Sequence, residues 1–170
     1  MEEEFHNHMR IPWHDYTRKS IGRPITEASL SEKASIIGRT GIMLLSCGTG
    51  AWRVRSSMNT LARELGITCT ADIGLLSIEY TCIDGGNCYT ESLCLFNTGV
   101  NTSKLYRMEL FVNKFSKNCK KMSGDELHTL LDQIHEIHGF YSPPFLGLAA
   151  AVACLSLIHI SEPTRPISIS

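Results

Sequence analysis

The chain has no Cys-x-x-Cys pair, although it carries seven cysteines. Zinc sites need closely spaced ligand pairs that close on one ion. Cys47, Cys69, Cys82, Cys88, Cys94, Cys119 and Cys154 are odd in number and scattered, so they read as reduced thiols acting as small buried hydrophobes. The opening MEEEFHNHMR has neither the basic start nor the apolar run of a secretory signal. The body of the chain is therefore expected to begin in the cytoplasm. Basic charge is not in excess: 16 Lys and Arg stand against 17 Asp and Glu, a formal net charge of -1. That excludes the basic stripe a nucleic-acid partner requires. An unbroken run of the ~20 apolar residues that a membrane span needs is missing too. What remains is 170 residues, 43% hydrophobic, enough for one domain with an ordinary core and too apolar for wholesale disorder.

Residues 1–28 are aperiodic and carry Pro12 and Pro24, which reads as a mobile leader. His6, His8 and His14 fall in it, and nothing positions a third and fourth metal ligand, so they read as solvated. Ser29 with Glu32 three residues on fits a capping box at a helix start. The segment IIGRTGIMLLSCGTGA is apolar nearly all round, as for a helix buried on several sides. In WRVRSSMNTLARELG, Val54, Met58, Leu61, Ala62 and Leu65 share one face, and Gly66 is placed to close the helix. Trp52 points away from that stripe, which predicts packing against a second surface.

The period then changes to two. Leu76, Ile78, Tyr80 and Cys82 fall on one face of a strand, DGGN supplies a tight hairpin turn, and residues 88–96 return. A register slip of one residue would decide whether Cys88 and Cys94 or Leu93 and Leu95 face inward. After NTGVN, Leu105, Met108, Val112 and Phe115 form a helical stripe. Ser123 and Glu126 fit a second capping box, followed by core positions Leu127, Leu130, Leu131, Ile134 and Ile137. His128, His135 and His138 on this helix are assigned surface or packing roles. The expected fold class is α+β, with helices packed on a small antiparallel sheet or hairpin, followed by the start of a transmembrane helix.

The stretch SCGTGAWR, residues 46–53, is the one that looks like chemistry. Two glycines and then arginine at a helix start can cradle an anion. A dinucleotide loop, however, follows a strand and carries a third glycine. Gly48 and Gly50 are read first as letting the helix kink or a neighbour approach closely. Arg53 and Arg55 are the candidate ligand or interdomain contacts. Ser46 and Cys47 have no base near in sequence, and Asp125 and Glu126 suit the start of a helix. No catalytic residue, metal or cofactor is assigned.

Gly41, Leu44, Leu45, Gly48, Arg53 and Val54, then Leu61, Ala62, Leu65 and Gly66, follow the pattern G-x-x-L-L-x-x-G-x-x-x-x-R-V with a run ending L-A-x-x-L-G. This resembles the opening helix of the threonine/serine exporter (ThrE) family. FNTGVNTSKLYRMELFV and SGDELHTLLDQI are similar to later segments of that family, so the likeness covers residues 29–154. It implies a cytoplasmic α/β domain, residues 29–140, on the inner face of the cytoplasmic membrane. It implies proton-driven export of small polar solutes: threonine, serine or, in two-subunit relatives, the dicarboxylate succinate. The partners it implies are the membrane domain of the same or a partner subunit, in a homo- or hetero-oligomer, held to the membrane by C-terminal helices.

The end of the chain reads as two pieces. Residues 141–154, with YSPPF leading into FLGLAAAVAC, are expected to start the first transmembrane helix, proline being tolerated at its first position. From Phe145 the apolar stretch reaches only Ile160 before Glu162, Pro163 and Arg165. LSLIHISEPTR, from Leu155, resembles a translated transposase sequencing adapter, whose codons CTG-TCT-CTT-ATA-CAC-ATC encode LSLIHI. Residues 155–170 are accordingly expected to be adapter-derived. Two other readings stand beside the exporter. One is a free-standing soluble α/β binding or regulatory module with residues 145–154 as a core helix. The other is an enzyme using Arg53 and a cysteine.

Overall fold

A computed structural model describes residues 11–18, 22–96 and 98–137, together with Val152 and Cys154. Residues 1–138 form one compact unit and residues 139–170 another. The architecture of the first is α+β, with four α-helices and a three-stranded antiparallel sheet among the described residues.

Helix α1 (Leu30–Ser46) begins where expected: the Ser29 hydroxyl accepts from the Glu32 N–H at 3.4 Å. It is buried continuously from Glu32 to Leu45 and lies at the centre of the unit, touching α2 (Ala51–Glu64), the sheet and α4 (Gly124–His135). Two glycines allow such crowding. A Cβ on Gly38 would lie 2.7 Å from Tyr80 Cε1, and one on Gly41 would lie 2.7 Å from Met58 Sδ. Helix α2 turns Val54, Met58, Leu61 and Ala62 into the core, as their spacing predicts. Trp52 differs from expectation. It is 69% exposed and meets no second surface within the unit.

The sheet runs β1 (Thr68–Ile73), β2 (Ser77–Asp84), β3 (Asn87–Cys94) as a meander. Ile78, Tyr80 and Cys82 fill its inner face. Ile78 pairs with Leu93, and Leu93 and Leu95 point inward while Cys88 and Cys94 are exposed, which resolves the register. Strand β1 was not distinguished in the sequence because TCTADI is short and built of small or polar residues. Helix α3 (Thr102–Lys114) continues through a π-helical turn, Phe115–Cys119, before α4 starts with a complete Ser123–Glu126 capping box.

The reading of residues 1–28 as a mobile leader does not describe residues 11–18 and 22–28. A 3-10 helix, Trp13–Thr17, packs on α1 and α4. Trp13 is 6% exposed and Ile25 fully buried, and the Ile25 N–H donates to Met122 O at 2.8 Å. These are single anchors without periodicity, so no helical or strand pattern announces them. Among the described residues, no helix is long and apolar enough to cross a membrane. The expected start of a transmembrane helix at 141–154 and the adapter stretch 155–170 lie outside the described residues, apart from Val152 and Cys154.

Candidate functional site

The 46–53 stretch forms the break between α1 and α2. Gly48 takes a left-handed φ of +75°, and its N–H donates to Leu45 O at 3.0 Å, closing α1. Gly50 is the N-cap of α2 at an ordinary φ of -68°. The chain thus turns between two helices; it does not kink one long helix. Gly48 also admits a neighbour: a Cβ there would meet the Val100 side chain at 3.5 Å, and Gly99 N–H donates to Ser46 O at 3.1 Å.

The two arginines diverge. Arg53 Nη1 lies 3.0 Å from Glu109 Oε1 on α3, and its guanidinium sits 5.4 Å from the Trp52 ring centroid. Arg55 Nε donates to Ala71 O of β1 at 3.0 Å. Both side chains therefore have partners within the domain, and they do not converge on a common point. The Arg53–Glu109 pair is half-exposed, the kind of surface pair that contributes about 0–1 kcal/mol.

A second polar cluster was not foreseen. His14 Nδ1 lies 2.6 Å from Asp125 Oδ1, and its Nε2 lies 2.8 Å from Asp132 Oδ2. Carboxylates only accept, so both ring nitrogens donate and the ring is an imidazolium. The hydrogen bonds to Asp125 and Asp132 raise the His14 pKa above 6.5. Asp132 also receives Nη2 of the buried Arg39. Burial would raise the Asp132 carboxyl, but the bonds from His14 and Arg39 hold it below its ordinary value.

Arg39 Nη1 donates to His128 O at 3.0 Å and lies 3.2 Å from His128 Nδ1. His128 is fully buried, and burial, then the charge of Arg39, pushes its pKa down to about 3. Its tautomer follows from its neighbours. Ser35 Oγ donates to Glu32 O at 2.8 Å and so accepts from His128 Nε2–H at 3.1 Å, which leaves Nδ1 to accept from Arg39. Trp13 closes the cluster, stacked on His128 with Arg39 over its ring. A cleft of about 150 Å3 opens beside it, lined by Trp13, His14, Arg39, Met43, Asp132 and His135.

One signal for this cluster was present in the sequence. An arginine in a helix that is apolar all round must be buried, and a buried charge requires a partner. The partner's position could not be read, because Asp132 is far away in the chain.

All seven cysteines are free thiols. Cys47, Cys69, Cys82 and Cys119 are buried as expected, whereas Cys88, Cys94 and Cys154 are exposed. Among the described residues, no group of three or more His, Cys, Asp or Glu side chains could hold a metal ion.

The family model described as "Putative threonine/serine exporter" (ThrE) matches residues 35–168. The chain belongs to the ThrE family. ThrE is a transporter family, which places the chain among membrane transporters of small solutes. The ThrE match takes in the 46–53 turn, Arg39, His128 and Asp132, and it begins beyond Trp13 and His14. It also runs through residues 155–168, the stretch that resembles translated adapter. No curated protein matches the chain, and no solved structure does.

Proposed function

We propose that residues 29–140 are the N-terminal, cytoplasmic domain of a ThrE-type exporter. In this reading the domain assembles with the membrane domain of the same chain or of a partner subunit. It serves the export of small polar solutes: threonine, serine or a dicarboxylate such as succinate. The observation that supports it is the family match, which runs over α1, α2, the sheet, α3 and α4 in order.

Gly48, Gly50, Arg53 and Arg55 then mark the face that meets the rest of the transporter. Gly48 sets the turn, and Gly50 starts the helix that carries both arginines. The Arg53–Glu109 pair is solvent-accessible and weak enough to exchange for a contact outside the domain.

The gene tests this reading. Its sequence downstream of the Cys154 codon, read from unfragmented DNA, is expected to encode several apolar spans of about 20 residues each. A stop codon close after Cys154 with no further span contradicts the reading and leaves a free-standing module.

A further inference from the structure

Two of the cysteines meet across the sheet. Cys69 of β1 stands directly opposite Cys82 of β2 in the antiparallel register. Both are buried on the inner face, at 7% and 0% exposure. The kind of pair they form follows from the turn that joins the strands. Gly74 N–H donates to Ser77 O at 2.8 Å, which makes Gly74 and Ser77 a hydrogen-bonded pair. Hydrogen-bonded and non-hydrogen-bonded pairs alternate along an antiparallel ladder. Counted back from Gly74, Cys69 and Cys82 are a non-hydrogen-bonded pair. Arg55 gives an independent check. Its Nε donates to Ala71 O, a carbonyl that the same alternation turns away from β2.

The Cα atoms of such a pair lie about 4.5 Å apart, with the side chains closer than in the hydrogen-bonded pairs. A disulfide bridges Cα atoms roughly 4.4–6.8 Å apart. The ladder thus holds Cys69 and Cys82 where a disulfide closes with little backbone movement. The two thiols already share a hydrogen bond. The cysteines of β3 are not placed so: Cys88 faces Ile83, and Cys94 faces Ser77. Cys47 lies at the end of α1 and Cys119 in the π-helical turn, both outside the sheet.

We propose that Cys69 and Cys82 form a reversible redox site, a dithiol that closes to a cross-strand disulfide by exchange with a small-molecule disulfide such as glutathione disulfide. Cys69 attacks first. It lies on the edge strand, whose local opening leaves the β2–β3 ladder intact, whereas Cys82 lies on the central strand. The Cys82 thiol donates to the Cys69 sulfur, which favours the Cys69 thiolate and keeps the proton on Cys82. The Cys69 thiolate attacks one sulfur of glutathione disulfide and expels a glutathione thiolate, leaving a mixed disulfide on Cys69. Cys82 then loses its proton, attacks Cys69 Sγ and expels the second glutathione thiolate. The two cysteine protons end on the two glutathione thiols. One disulfide forms and one is reduced, so no other oxidant enters. A Cα separation at the short end of the range makes the bond easy to reduce again. Closure staples β1 to β2, and with it the Ala71 carbonyl that holds Arg55. This site does not depend on the transporter reading above.

Peptide mapping of the full chain tests it. The reduced protein is incubated in native buffer with glutathione disulfide, free thiols are alkylated, and the chain is digested without reductant for mass spectrometry. Peptides joined through Cys69 and Cys82 are expected, and dithiothreitol is expected to separate them. The exposed Cys88 and Cys94 take up glutathione and so report that the oxidant is active. Cys82→Ala is expected to stop at the mixed disulfide, with glutathione held on Cys69. Cys69→Ala is expected to leave Cys82 a thiol. In the oxidised wild type, the amides of Thr68, Thr70 and Asp72, which bond across to β2, are expected to exchange with solvent at least about tenfold more slowly.

Cys69 and Cys82 that remain thiols while Cys88 and Cys94 react overturn the proposal. A Cys69–Cys82 link that appears only in urea overturns it as well, because the pair is then inert in the folded sheet. Glutathione retained on Cys69 of the wild type also overturns it, since Cys82 has then failed to resolve the mixed disulfide.

Discussion

His14 and His128 sit 5.7 Å apart, ring centroid to centroid, yet hold opposite charge states. His14 is an imidazolium between two carboxylates, and His128 is neutral because it is buried and because a proton on Nδ1 would face Arg39. Their effects on stability run in opposite directions with pH. The raised His14 pKa gives a contribution fully present below the unfolded value of 6.5 and lost as pH climbs through the folded value. Because His14 and both carboxylates are half-exposed, solvent keeps that contribution small. The lowered His128 pKa acts the other way. Above 6.5 the ring is neutral in both states, and stability falls as pH drops from 6.5 towards about 3. At its full extent that loss is on the order of 5 kcal/mol. Urea unfolding across pH 3–9 measures both. His128→Gln is expected to flatten the acid limb, and His14→Gln is expected to lose stability below pH 6.5 and converge on wild type as pH rises. An acid limb unchanged in His128→Gln contradicts the buried neutral assignment.

Among the elements, α1 carries the most information and was the easiest to read. Its all-round apolar pattern required burial on several sides, and the sheet, α2 and α4 supply those sides. Both capping serines, Ser29 and Ser123, lie where the sequence placed them, because a cap is a local interaction over three residues. Strand β1 and the Trp13–Thr17 helix were hidden for the opposite reason. Their stability comes from partners far along the chain, such as Asp125 and Asp132 for His14, and no local period records that. The glycines at 46–53 read as a kink or a close approach, whereas Gly48 takes a positive φ that turns the chain between two helices, and the divergence of Arg53 and Arg55 depends on α3 and β1. The close approach of Tyr80 to α1 gives a test at this scale. Gly38→Ala would improve helix propensity by about 1 kcal/mol. Tyr80 is fully buried, however, and its hydroxyl, 2.6 Å from Glu91 and 3.1 Å from Ala34 O, holds the ring in place. Overpacking is expected to outweigh the gain, so that Gly38→Ala unfolds at lower urea, with a net loss of ~1–2 kcal/mol. A variant more stable than wild type contradicts this packing.

For the whole molecule, the near-neutral charge and the absence of a metal cluster among the described residues narrowed the field without naming a function. The order of small motifs along α1, α2, α3 and α4 pointed to ThrE, and the family match agrees with it. Spacing carried that identification because helix–helix and helix–sheet packing fix where glycines and leucines must fall. Among the described residues no helix is long and apolar enough to cross a membrane. The central claim is that this domain works within an exporter of small polar solutes. Efflux measures it most directly: cells expressing the complete gene are loaded with labelled threonine, serine or succinate and followed after dilution. The account predicts faster loss of at least one of these solutes than in cells without the gene. Efflux unchanged for all three, with the protein produced and in the membrane, would contradict it.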